Sequence, residues 1–206
     1  MNLPQIPVFR PALLTGAVLA ASFALPVAAQ DLSAVPAGTY KSDPTHAYVD
    51  FSYNHLGLSN PSLSFDTFEI TMELDPADVA ATTISMTMDP ASVVAGSDIW
   101  KEHLTSADWF DVEANPEITF TSTSVEGGGD GAYVVNGDLM LAGETRPVTM
   151  NVTLNAAMNH PMSGDPVIGV DAGGEVLRSD FGLGKAAPAV SDEVQIEVSA
   201  EMVLQK

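Results

Sequence analysis

Four histidines, His46, His55, His103 and His160, are the side chains of this 206-residue chain best suited to move a proton or hold a metal near neutral pH. Zinc sites commonly draw on close histidine pairs that share one face. His46 and His55 are nine residues apart, and an odd separation on a regular strand places two side chains on opposite faces. No H-E-x-x-H is present. The sequence also lacks a G-x-S-x-G elbow and a Ser-x-x-Lys pair. The glycines at 127–131 are not followed by a P-loop lysine and lie between strand-like runs, so they read as a hairpin loop. Without cysteine, thiol nucleophiles, disulfides and iron–sulfur ligation are excluded. No catalytic residue, metal ligand set or cofactor is assigned from these patterns.

Charge narrows the options further. Seven Lys and Arg stand against 27 Asp and Glu, giving a net charge of −20 and a pI near 4.1. Nucleic-acid binding needs clustered basic residues and is not expected. Scarce cations are informative, and two arginines stand out. Arg146 belongs to a turn and reads as exposed. Arg178 ends a strand-like run; its expected role is a salt bridge to Asp180 or Asp43, or pairing with an anionic ligand head.

Residues 1–29 read as a secretory signal. Arg10 precedes the apolar run Pro11–Leu25, Pro26 breaks any helix, and Val27-Ala28-Ala29 supplies small residues for cleavage after Ala29. The run is shorter than the roughly 20 residues that span a bilayer. The expected domain is therefore 30–206, exported to the periplasm, with no membrane span after cleavage and one unit more negative.

The body alternates with period two. Val194, Ile196, Val198, Ala200 and Met202 share one face of a strand. Val148, Met150, Val152 and Leu154 share another, as do Tyr133, Val135, Leu139 and Leu141. Ile84, Met86 and Met88 mark a strand, and Ile118 with Phe120 another. Residues 62–74 change phase, which a β-bulge near Asp66-Thr67 would reconcile. Asp43-Pro44, Asp75-Pro76, Asp89-Pro90, Asn115-Pro116, the 127–131 glycines and Gly173-Gly174 read as turns between runs. This pattern predicts an all-β sandwich or barrel. One helix interrupts it: Ser97 caps a segment carrying Ile99, Trp100, His103 and Leu104, with a further turn at Trp109 and Phe110. Both tryptophans of the chain fall here. They form either a plug sealing one barrel end or a lid over a ligand mouth.

The order and spacing of these residues resemble the YceI-like family. The resemblance starts at Tyr40, Asp43 and His46. It continues through Phe51, His55, Phe65 and Phe68, then Asp89-Pro90-Ala91-Ser92-Val93. Its most diagnostic stretch is His103-Leu104, Asp108-Trp109-Phe110-Asp111-Val112 and Pro116 to Ser122. Gly137-Asp138-Leu139, Leu141 to Thr145, Arg178 to Gly182 and Ser191 to Val194 complete it. The resemblance implies an eight-stranded antiparallel, lipocalin-like barrel with an apolar tunnel. It further implies binding of a long-chain amphiphile, a polyisoprenoid first among them, and no enzymatic activity. Two departures are visible: Ala47 where the family usually has Ser, and Ser64 where it often has Gly. The first removes a hydroxyl that could contact a head group.

The ligand-binding candidates are Phe51, Phe65, Phe68, Trp100, Trp109, Phe110 and Phe120 as apolar lining, with Tyr40, His46, His55 and Arg178 as polar contacts. The expected partner is a long-chain lipid or isoprenoid. A second expectation is a barrel filled by its own side chains that acts as a stress-related interaction protein. A third, less favoured, is a hydrolase or isomerase using His46 or His55. Oligomeric state is left open, a homodimer included.

Overall fold

The computed structural model describes residues 31–206; the signal expected at 1–29 lies outside them. The strands are β1 (Gly38–Ser52), β2 (Ser62–Phe65), β3 (Phe68–Leu74), β4 (Thr83–Met88), β5 (Val93–Val94), β6 (Ile118–Gly127), β7 (Ala132–Leu141), β8 (Glu144–Asn159), β9 (Pro166–Leu177) and β10 (Glu193–Leu204). A single α-helix, α1 (Asp98–Thr105), stands among the described residues. Eight strands form the barrel in the order β10-β9-β8-β7-β6-β4-β3-β1, and β10 pairs with β1 to close it. All pairings are antiparallel. Short β2 and β5 extend the sheet beside β1. Closure satisfies the backbone groups that an open edge would expose.

The alternation predicted from sequence is the alternation of burial. Along β10, Val194, Ile196, Val198, Ala200 and Met202 turn inward, and Gln195, Glu197 and Ser199 turn to solvent. The β7–β8 hairpin is tighter than the five-residue link expected: Leu141 pairs with Glu144 across Ala142-Gly143. Both linking residues have positive φ, 51° and 80°, as a two-residue hairpin turn matched to strand twist requires.

Three local expectations are corrected. At Asp66-Thr67 the chain does not bulge within one strand; it breaks into β2 and β3, which pair with different stretches of β1. Asp43-Pro44 is not a turn between strands but part of a bulge inside β1, where Ser42 to Ala47 faces only Met202 to Ala200. Gly173-Gly174 is not a turn at all and lies inside β9. A Cβ at Gly174 would come 2.5 Å from Met150 Sδ and 2.9 Å from the Thr149 carbonyl oxygen. Glycine stands there because the neighbouring strand's side chain fills the space a Cβ would need.

The interior divides along the barrel axis. At one end Tyr40, Met72, Leu74, Leu154, Ala157, Ile168 and Met202 pack solidly, and Leu32 and Val35 close over them. At the other end α1 and the loops 53–61 and 178–192 cover a less completely filled interior.

Candidate ligand cavity

Helix α1 begins as the sequence predicts. The Ser97 hydroxyl accepts from the Trp100 N–H at 3.3 Å, and Asp98 occupies the first turn. The cap fixes the helix so that Trp100 and Leu104 turn toward the barrel while Ile99 stands exposed. After the helix, turns bonded from Trp109 N–H to the Ser106 carbonyl and from Phe110 N–H to the Leu104 carbonyl fold the second tryptophan back over the barrel. The rings form two layers. Trp100, His103 and Trp109 cluster on top, with His103 stacked on Trp100 at 5.0 Å and the two indoles edge to face at 6.3 Å. Beneath them Phe51, Phe65 and Phe110 lie 5.3 to 6.3 Å from one another.

Under this lid lies a cavity of about 170 Å³ lined by Phe51, Phe65, Met88, Trp100, Trp109 and Phe110 among others. A second cavity of about 120 Å³ lies deeper, against Ile84, Phe120, Met150 and Val198. Met86, Leu139 and Ile196 line both and form the partition. The two cavities follow successive inward positions of the same strands, from Met88 to Ile84 on β4 and from Val194 to Val198 on β10. Their walls are almost wholly hydrocarbon and thioether.

Polar groups are confined to the rim. The Tyr53 hydroxyl is pushed up from its ordinary pKa by burial, and the Trp100 indole beside it partly offsets the shift. Burial likewise lowers the pKa of Arg178, although a guanidinium stays charged. Lys185 pairs with Asp108 at 2.7 Å and holds its carboxyl below the usual range, linking the 178–192 loop to the lid across the mouth.

Eight of the eleven predicted residues line these cavities: Phe51, His55, Phe65, Trp100, Trp109, Phe110 and Arg178 the upper one, and Phe120 the lower. Three do not. Tyr40 is fully buried in the opposite core, where its hydroxyl donates to the Pro36 carbonyl at 2.7 Å. His46 is exposed on the outer wall, because the β1 bulge swings it outward beside Asp43 and Glu201. Phe68, at the start of β3, packs between the two cores without lining either cavity. Ala47, the departure from the family pattern, is buried in the solid core and faces no cavity.

Arg178 departs from the salt bridge expected of it. No carboxylate pairs with its guanidinium. Nε donates to the Ser191 carbonyl at 2.7 Å, Nη1 to the carbonyls of Leu183 and Lys185, and Nη2 to Val190 at 2.8 Å. Four of its five N–H bonds therefore fasten the 183–191 loop, leaving little for an anionic head. Sequence reasoning also missed Tyr53, Met86, Leu139, Val176 and Ile196. The inward phase of β4, β7 and β10 marked Met86, Leu139 and Ile196 as interior, but period alone does not separate a cavity wall from a packed core.

Comparison with known proteins agrees with this architecture. A model of the YceI-like domain matches residues 40–202. A "UPF0312 protein" of Pseudomonas putida strain F1 is 36% identical over 194 residues, covering 93% of this chain and 98% of its own length. Burkholderia cenocepacia BcnA superposes with a TM-score of 0.70 at 28% identity, over 80% of this chain and 99% of that one. A polyisoprenoid binding domain from Saccharophagus degradans, implicated in plant cell wall breakdown, superposes with a TM-score of 0.60. Its 13% identity, over 82% of this chain and 99% of that one, speaks for the fold alone.

Proposed function

The chain belongs to the YceI-like family, and from that premise we propose that it is an exported carrier that holds a long-chain amphiphilic lipid, a polyisoprenoid foremost, within the barrel. The observation that carries the reading is the pair of apolar cavities in line beneath an aromatic lid. An alkyl or isoprenoid tail gains about 0.8 kcal/mol for each methylene removed from water. Hydrocarbon walls supply that term with little regard to the chemistry of the tail. Met86 and Met150 add adaptability, because unbranched thioethers repack around irregular chains. The polyisoprenoid-binding neighbour shares the barrel fold, and the ligand class proposed here rests on the apolar cavities of this chain.

In this reading the tail lies along the axis and the head rests at the rim, near Tyr53, His55 and the Trp100–Trp109 pair. With the Arg178 donors engaged by carbonyls, the rim suits a neutral head better than a phosphate. The filled-barrel alternative is less favoured because the cavities are there to be filled. The enzymatic alternative is less favoured because His46 pairs with Asp43 on an exposed wall and not in a cleft, and His55, which does line the upper cavity, forms no ion pair with a carboxylate among the described residues.

Native mass spectrometry of the protein purified from its own periplasm, followed by solvent extraction, tests the proposal. A stoichiometric adduct that extracts as a long-chain lipid is the expected result. A clean apo mass, unchanged after incubation with isoprenoids and fatty acids, would move the reading to an interaction protein without ligand.

A further inference from the structure

We propose that Asp43, His46 and Glu201 form a site for one divalent transition-metal ion, with Zn²⁺ as the reference ion, on the outer wall where β1 and β10 close the barrel. It is separate from the cavity and does not depend on what the barrel carries. The β1 bulge creates it. Five residue steps from Ser42 to Ala47 face two on β10, and the slack folds Asp43 and His46 over Glu201.

His46 Nδ1 lies 3.3 Å from Asp43 Oδ2 and 4.0 Å from Glu201 Oε2, and one donor atom from each of the three residues lies within 4.8 Å of the others. Nitrogen and oxygen ligands of a tetrahedral zinc stand roughly 3.4 Å apart. A small rotation of the half-exposed Glu201 side chain brings the set to that spacing. One imidazole with two carboxylates suits a borderline ion better than a hard one.

The surroundings of Nδ1 point the same way. The Thr45 hydroxyl oxygen is 3.0 Å from it, yet that hydroxyl donates to Asp43 Oδ1 at 2.7 Å. Three oxygens thus surround one ring nitrogen with no donor proton directed at it. A neutral ring with its hydrogen on Nδ1 would donate into that set, and a metal ion on Nδ1 would be ligated by it. The Thr45 backbone N–H and hydroxyl both donate to Asp43 Oδ1, at 2.8 and 2.7 Å, which holds the carboxylate with Oδ2 beside His46 Nδ1. The protein's large negative charge also concentrates cations at its surface.

Titration of ZnCl₂ into untagged protein by calorimetry, repeated for His46→Gln and Glu201→Gln, tests the assignment. His160→Gln serves as the control; the His160 Nδ1 already accepts the N–H groups of Met162 and Ser163. The expected result is one equivalent of Zn²⁺ bound, weakened roughly ten-fold or more in both site variants and unchanged in the control. Zn²⁺ should also raise the unfolding temperature of the native protein and not that of His46→Gln, because the ion ties the bulge to β10. Binding that survives His46→Gln unchanged would overturn the proposal, as would failure to saturate at millimolar Zn²⁺. His46 is exposed, so its replacement leaves the fold intact, and the metal-free melting curve checks this.

Discussion

The guanidinium carbon of Arg178 lies 5.6 Å from the centre of the Trp109 ring. The arginine is anchored by backbone carbonyls from the 183–191 loop, so one tryptophan of the lid rests on a cation fixed by the loop across the mouth. The lid and the loop are thereby a single assembly, tied a second time by Lys185 and Asp108.

Replacing Arg178 with Lys should therefore cost far more than a conservative change on the surface. An ammonium has three donors and no planar fork, so it cannot serve carbonyls spread over Leu183 to Ser191. A loss of about 3 kcal/mol is expected, read as a shift of the urea midpoint. A loss below about 1 kcal/mol would mean that the carbonyl set does not hold the loop.

The double variant Trp100→Ala, Trp109→Ala should release a fluorescent long-chain ligand faster, by roughly ten-fold or more. The barrel should stay folded, because Phe51, Phe65 and Phe110 pack beneath the indoles. Stopped-flow displacement measures the rate. An unchanged off-rate in a folded variant would remove the lid role.

Gly137→Ala should shorten the cavity from within. A Cβ there would press on the Phe120 ring and approach the Thr121 carbonyl oxygen to 2.6 Å, and Phe120 lines the deeper cavity. A destabilisation of about 1–3 kcal/mol is expected. Affinity for long chains should fall more than affinity for short ones, at about 0.8 kcal/mol for each methylene no longer accommodated. Gly129→Ala, whose Cβ would meet open space, is the control.

Acid should unfold the protein at a point set by its bonded carboxylates. Hydrogen bonds from the side chain and backbone of Ser179 hold the Asp192 carboxyl below its ordinary range, and those of Ser33 and Thr45 do the same for Asp31 and Asp43. A depressed folded-state value means that the unfolded chain binds more protons in that window. The stabilisation is then full above about pH 4 and lost as pH falls through the folded values. Melting temperatures measured downward from pH 5 should show this decline. Asp192→Asn should melt lower at pH 7 and decline less steeply in acid; an identical slope would assign the acid response to other groups.

Much of the barrel was readable because its strands alternate cleanly, and β10 is the plainest instance. The aromatic lid was readable because Ser97 is a strong cap and the tryptophans follow it. What escaped were places where backbone irregularity overrides period. The nine-residue spacing of His46 and His55 has meaning only on one regular strand, but a bulge carries the first outward and β1 ends at Ser52 before the second. Gly173-Gly174 looked like a turn because its reason, the Met150 side chain, belongs to another strand. Arg178 was matched with acids because charge is visible in a sequence and convergent carbonyls are not.

The solid packing around Tyr40 has a consequence for traffic. Among the described residues, Leu32, Val35 and the core beneath them leave no exit at that end, so the barrel is a blind pocket and not a conduit. On the proposed carrier function, a tail-bound cargo would enter tail first and leave head first through the same door. A source and a recipient of that cargo would then have to use one face in turn, with nothing passed straight through.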